Sequence, residues 1–377
     1  GASSRFMLDP LLLDNLSQFV LYQMHEHEMP VTALLPFHIA SIDLFQTLDG
    51  AFECELDAAV HLRSMSLRGT LALMQLSSDG RLLAQVDEIS SRAIVLTPNM
   101  QKLVFHPAEN ISIIEDLSSW EMRASEILKD NRAVITSLRS NQFSDDETVL
   151  DWLTDYVLSE EEQGQWQTLG KSAKRRREWF MGRIAAKDAV RILLHRRGYP
   201  LFCSSDIQIV ANPGGDISVL LPPAAAISVD LLPQISISHC NSMACAIAIF
   251  PLNNSLVSES VVAGIDVEEI CEREEGFTNL AFNYGELTLL SKFPPEEQSR
   301  WISAFWSAKE ASAKAHRTGF NGNPRSFEVL SVKDEARTLV VLAPSNGEEF
   351  PTTYQCSIRF DDENSVSISV VTGSKNS

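Results

Sequence analysis

The sequence has no apolar run of about 18 residues, the length a membrane-spanning helix needs, so none of its 377 residues is expected to cross a membrane. It has no positively charged stretch running into an apolar one, so no secretory leader is expected. Cysteines number six (Cys54, Cys203, Cys240, Cys245, Cys271 and Cys356) and none forms a C-x-x-C pair. A chain of this length needs no disulfide staples, and they read as reduced thiols of a cytoplasmic protein. His239-Cys240 with Cys245 fits no common zinc spacing. Positive charge is scarce: 31 Lys+Arg stand against 50 Asp+Glu, a formal net charge of −19. Such a surface repels a phosphate backbone and argues against nucleic acid as a partner. There is no short-period repeat and no low-complexity segment.

The charge is unevenly spread. Residues 1–170 hold 10 Lys+Arg against 26 Asp+Glu, a net of −16, and the remainder holds 21 against 24, a net of −3. That asymmetry predicts two units. In the first, residues 8–24 have helical spacing behind Asp9-Pro10. From Val31 to Leu96 short β-rich runs follow, punctuated by Asp49-Gly50, Arg68-Gly69 and Asp79-Gly80. The stretch around Asp79-Gly80 predicts a β-hairpin. Residues 113–149 are acidic and helical in pattern, and are expected to form a connector. A helix is predicted over 175–195, a strand over 261–268, helices over 283–293 and 295–316, and strands over 326–372. The fold class is therefore α+β.

Three segments carry chemistry. In Gly264-Ile265-Asp266-Val267-Glu268 the strand period of two puts both carboxylates on one face, where they repel unless a cation lies between them. Hard oxygen ligands of this kind suit magnesium. In Trp306-Ser307-Ala308-Lys309-Glu310-Ala311-Ser312-Ala313-Lys314 the helix period stacks Glu310 over Lys314. Ser238-His239 closes an apolar strand. Taken singly, these are equally a solvated acidic pair, a surface ion pair and a structural histidine.

Together and in this order, S-H, G-I-D-x-E and W-x-x-K-E-x-x-x-K resemble the Sfp-type 4'-phosphopantetheinyl transferases. Leu158-Ser159-Glu160-Glu161-Glu162, Arg176–Arg191 with Gly182-Arg183, and Phe282-Asn283-Tyr284-Gly285-Glu286-Leu287 extend the likeness over residues 150–372. Asn212-Pro213-Gly214-Gly215-Asp216 lacks the lysine of the family's G-K-P segment, and Lys314-Ala315-His316-Arg317-Thr318-Gly319 departs from its K-A-x-G-x-G. The resemblance implies a pseudo-twofold fold: two halves, about 150–258 and 259–377, each a helix on a small antiparallel sheet, with coenzyme A in the cleft between them. It implies Mg2+ held by Asp266, Glu310 and Glu268. It implies catalytic roles for Glu310, Lys314 and Asp266, and coenzyme contacts from Ser238, His239, Arg183, Lys187 and Lys314. The partner would be an acyl carrier protein, whose serine receives the phosphopantetheine arm as 3',5'-ADP leaves. The basic run Lys171, Lys174, Arg175, Arg176 and Arg177 either steers that carrier or is a solvated helix start.

Residues 8–95 resemble the second hot-dog half of a polyketide synthase dehydratase, in a unit spanning 1–112. Asp9-Pro10-Leu11-Leu12-Leu13-Asp14-Asn15-Leu16-Ser17-Gln18 carries the likeness and implies Asp14 and Gln18 as remnants of that site. The order of units is similar to the C-terminal end of an iterative type I polyketide synthase, enediyne-like or polyunsaturated. Two other readings stay open: a non-catalytic module that binds coenzyme A or a carrier, and a dehydratase fragment.

Overall fold

The computed structural model describes residues 33–45, 57–66, 69–78, 80–94, 115–116, 133–142, 147–170, 172–212, 216–225, 227–228, 231–251, 259–333, 337–345, 351–363 and 365–376. The chain divides into two compact units, Gly1–Gln101 and Lys102–Ser377. The expected helix at 8–24, and Asp14 and Gln18 with it, lie outside the described residues.

The first unit shows an antiparallel sheet of β1 (Ala33–His38), β2 (Ser41–Leu44), β3 (Asp57–Ser66), β4 (Gly69–Ser78) and β5 (Arg81–Ile94), in the order β1-β5-β4-β3 with β2 also on β5. The Asp-Gly hairpin is present. Ser78 faces Arg81, and Gly80 takes φ +72°, the left-handed conformation such a two-residue loop demands.

The second unit opens earlier than expected. Glu115–Asp116 (β6) and Ala133–Arg139 (β7) belong to its first sheet, so the helical connector assigned to 113–149 is corrected. The reason is burial: Ala133 to Leu138 are all buried, and a strand covered on both faces has no alternation to betray it. After β7 come α1 (Glu147–Val157), α2 (Glu160–Thr168), α3 (Ala173–Arg196), β8 (Gln208–Ala211), β9 (Ile217–Leu220), β10 (Gln234–His239) and β11 (Met243–Ile249). The second half repeats the plan with β12 (Glu259–Glu269), α4 (Glu275–Ala281), α5 (Tyr284–Leu290), α6 (Gln298–His316), β13 (Glu328–Lys333), β14 (Thr338–Leu342), β15 (Thr353–Asp361) and β16 (Val366–Asn376).

The sheet orders are β10-β11-β7-β6 and β12-β16-β15-β14-β13. In each half the last strand runs antiparallel between the strand before it and the half's opening strand: β11 between β10 and β7, β16 between β15 and β12. One long helix covers each sheet, α3 in the first half and α6 in the second. The pseudo-twofold α+β plan is thus present, with β7 as the counterpart of β12. No helix among the described residues is long and apolar enough to cross a membrane.

The approach of α6 to β12 depends on one glycine. A Cβ on Gly264 would lie 2.0 Å from the Ala311 carbonyl oxygen and 2.9 Å from the Ala315 nitrogen, both backbone atoms that cannot swing aside. Gly264→Ala is therefore expected to destabilise the fold by about 3 kcal/mol, the upper end for overpacking. A denaturant titration checks this, and a variant as stable as the parent would show that α6 is free to withdraw.

Candidate active site

Asp266 and Glu268 are separated by one residue on β12, and Glu310 and Lys314 by one turn on α6. Carboxylate oxygens of Asp266, Glu268 and Glu310 all lie within 4.8 Å of one another. Asp266 is 1% exposed. Its Oδ1 accepts from Lys314 Nζ at 2.7 Å and from Ser238 Oγ at 2.7 Å. Its Oδ2 is buried with no hydrogen-bond partner. An unmet acceptor of this kind costs about 1–3 kcal/mol, more when charged. Lys314 also donates to the Ile265 carbonyl at 3.2 Å. Glu268 accepts from Arg273 at 2.6 Å.

Glu310 and Glu268, half-buried beside Asp266, resist ionisation. Burial, then the neighbouring Asp266 charge, pushes the Glu310 carboxyl up to about 8, against the pull of Lys314. Burial and Asp266 raise Glu268 as well, partly opposed by Arg273. A cation among the three would reverse both effects.

Beside them a cavity of about 740 Å³ opens between the two halves. Trp179, Arg183 and His239 line it from the first half, and Ala263, Lys314 and Arg317 from the second. Lys314 connects the two features, since it faces the cavity and holds Asp266. Arg317 closes α6 in the left-handed region, at φ 61°. Burial lowers the His239 imidazole from its ordinary value, and Glu178, 4.0 Å away, opposes the shift.

Residues 263–371, which span this carboxylate strand and helix, match the 4'-phosphopantetheinyl transferase superfamily. The holo-[acyl-carrier-protein] synthases of Streptococcus agalactiae serotypes III and V are 34% identical over 95 residues, covering 23% of this chain and 79% of each relative. The chain belongs to the 4'-phosphopantetheinyl transferase superfamily. Among solved structures, the holo-(acyl-carrier-protein) synthase of Bacillus anthracis in complex with CoA (3',5'-ADP) aligns at TM-score 0.25 and 22% identity, over 31% of this chain and 93% of that one. That of Thermotoga maritima aligns at TM-score 0.26 and 19% identity, over 40% and 74%. Residues 1–97 match the polyketide synthase dehydratase N-terminal domain. The first unit is thus similar to a dehydratase domain, but the matching domain is described as N-terminal, whereas the motif reading placed the stretch in the second hot-dog half.

The site residues expected from the sequence separate into two sets. Asp266, Glu268, Glu310 and Lys314 come together, and His239 and Arg183 line the cavity. Lys187 does not: its side chain is fully buried and pairs with Glu162, also fully buried, so its assignment to the coenzyme is corrected. Its ammonium also donates to the Val157 carbonyl, and burial lowers its pKa to about 8 against the pull of Glu162. Ser238 is 8% exposed and gives its hydroxyl to Asp266, on the face of the strand opposite His239. Arg183 keeps a share in both, with Nε 3.2 Å from Glu162 and its guanidinium over the Trp179 ring.

The Lys187 pair has a twin. Glu162 closes the capping box of α2 from Ser159 and accepts the Ile209 amide. Glu286 closes that of α5 from Asn283 and accepts the Val329 amide at 3.0 Å. Lys309 Nζ donates to Glu286 and to the Ala281 carbonyl, as Lys187 does to Glu162 and Val157. Sequence reasoning missed these clamps. Their trace is Ala186-Lys187-Asp188-Ala189 beside Ala308-Lys309-Glu310-Ala311, each preceded by an S/N-x-x-E cap. The alignment sets Asp188 opposite Glu310, but Asp188 is spent on Arg191 at 3.2 Å, and Ile192 stands where Lys314 would be. Among the described residues, the carboxylate cluster belongs to the second half.

The basic run is partly committed. Arg176 pairs with Asp151 at 2.9 Å and stacks on Trp166, and Arg177 donates to the Ser140 carbonyl.

Proposed function

We propose that residues 133–376 transfer the 4'-phosphopantetheine moiety of coenzyme A to a serine of an acyl carrier protein, with Mg2+, releasing 3',5'-ADP in the cytoplasm. The carrier is taken to be a domain of the polyketide synthase to which the dehydratase-like unit belongs. The observation that carries this reading is the carboxylate triad joined through Lys314 to the inter-half cavity. The S. agalactiae relatives, named as synthases of the holo carrier protein, support the same reading.

The donor set suits a hard divalent ion. All three groups are carboxylates, Asp266 Oδ2 is a buried acceptor without a partner, and Glu310 is held back from ionising by burial and by Asp266. Asp266, Glu268 and Glu310 would hold it. When bound, Mg2+ supplies charge neutralisation at the phosphate oxygens.

The chain's own residues do the rest. Arg183, His239 and Lys314 place positive or donor groups along the cavity wall, where the coenzyme's phosphates bind. As the carrier serine oxygen bonds to the β-phosphorus, the bond from that phosphorus to the oxygen of 3',5'-ADP breaks. Glu310 takes the serine proton as general base. The decisive test is intact-mass spectrometry of a carrier domain incubated with this chain, coenzyme A and Mg2+. The expected result is a gain of one phosphopantetheine, lost when Mg2+ is chelated. No gain on several carriers, with the protein shown to be folded, would sink the reading in favour of a non-catalytic module.

The raised carboxyls add a pH dependence. A folded-state value above the ordinary 4.5 means that the native protein binds more protons than the unfolded one, so stability falls as pH rises from about 4.5 to about 8. Thermal melts in EDTA should show this decline, and Mg2+ should lessen it by favouring the ionised carboxylates. A pH profile indifferent to Mg2+ would count against the metal site.

A further inference from the structure

The two halves meet along β10 and β12, which pack together but share no ladder among the described residues. Two serines on one face of β10 bridge the seam instead. Ser236 Oγ accepts the Ile265 amide at 3.2 Å, and Ser238 Oγ donates to Asp266 Oδ1 at 2.7 Å. The first bond sets the height of β12 against β10, and the second sets the rotation of the Asp266 side chain.

Lys314 adds its own 2.7 Å bond to the same Oδ1. Oδ1 therefore carries two donors and Oδ2 none. A carboxylate with one oxygen tied from two sides presents the other in a single direction. We propose that Ser238 is a positioning residue that aims Asp266 Oδ2 at the divalent cation, so that the first half of the domain sets the metal affinity of the second. This rests on the metal assignment above, and it gives the Ser-His pair divided duties. Ser238 serves the metal carboxylate, while His239, 43% exposed at its side chain, faces the coenzyme cavity. The strand's alternation turns the two side chains to opposite faces.

Partners that orient a metal ligand typically contribute 10–100-fold in affinity. The test is direct Mn2+ binding by electron paramagnetic resonance on the full chain, together with 3',5'-ADP binding by calorimetry. The proteins are the wild type, Asp266→Asn, Ser238→Ala and Ser238→Thr. Ser238→Ala should weaken Mn2+ by about 10–100-fold and leave 3',5'-ADP binding unchanged. Ser238→Thr, which keeps the hydroxyl on a strand that favours β-branched residues, should stay close to wild type. If Asp266→Asn loses Mn2+ but Ser238→Ala does not, the proposal fails and the metal site stands. If both Ser238 variants weaken alike, packing and not the hydroxyl is responsible, and the proposal fails. If Ser238→Ala loses 3',5'-ADP instead, Ser238 is a coenzyme contact. If wild type and Asp266→Asn bind Mn2+ equally, the metal assignment itself falls and takes the proposal with it.

Discussion

Replacing Glu310 with glutamine is expected to slow carrier modification by about 10²–10⁴-fold, the range for losing a positioned general base, while making the metal-free protein more stable at pH 8. The two effects share one cause. Burial and the Asp266 charge oppose ionisation of Glu310, so a neutral amide of the same shape removes a repulsion the native fold tolerates. Under the proposed function, the carboxylate is kept there to hold a cation and accept a proton. A residue that merely packed would show neither effect. The rate of holo-carrier formation by mass spectrometry and thermal melts in EDTA provide the two readouts. Activity within about tenfold of wild type, well short of the contribution of a general base, would remove Glu310 from the chemistry. Lower stability at pH 8 would show that its neighbours do not repel it.

Breaking the second clamp should be the largest stability loss in the transferase unit. Lys309 and Glu286 are both fully buried, and Glu286 also accepts the Asn283 and Val329 amides. Lys309→Met leaves a buried carboxylate without its cation, a change that typically costs 3–5 kcal/mol. Lys187→Met should act alike in the first half, where Arg183 remains as a second, partial counter-charge to Glu162, so the loss should be smaller. The double variant Lys309→Met/Glu286→Gln removes both charges and keeps an acceptor for the amides, and should recover part of the stability. Urea titrations followed by tryptophan fluorescence read this cleanly. All six tryptophans (Trp120, Trp152, Trp166, Trp179, Trp301 and Trp306) lie beyond Gln101, so the signal reports the transferase unit alone. A Lys309→Met variant as stable as the parent would mean that the pair contributes nothing to holding α6. The clamp also bears on function, because Lys309 adjoins Glu310. Anchoring one to Glu286 turns the other, about 100° further round the helix, toward β12.

The reading of the motifs succeeded where chemistry depends on local periods. Asp266 and Glu268 share a face because a strand has period two, and Glu310 and Lys314 because a helix has period 3.6. These relations hold wherever the elements are placed. The helix predicted over 175–195 and the strand over 261–268 match Ala173–Arg196 and Glu259–Glu269 for the same reason. The reading failed where the answer lay in a distant partner. The strand β7 hid inside an acidic stretch because its burial comes from α3 on one face and from residues of β12 and β16 on the other, all distant in sequence.

By itself, then, the sequence determined the α+β class, the order of the motifs and, through the family likeness, which carboxylates lie together. Only the tertiary structure decided that Lys187 is a structural cation, that Ser238 bonds Asp266, and that β6 and β7 belong to the first half's sheet. The physical reason is burial. A charged or hydroxyl side chain reads the same in sequence whether it meets water or a buried carboxylate, and what it meets is set by elements the chain brings together from far apart.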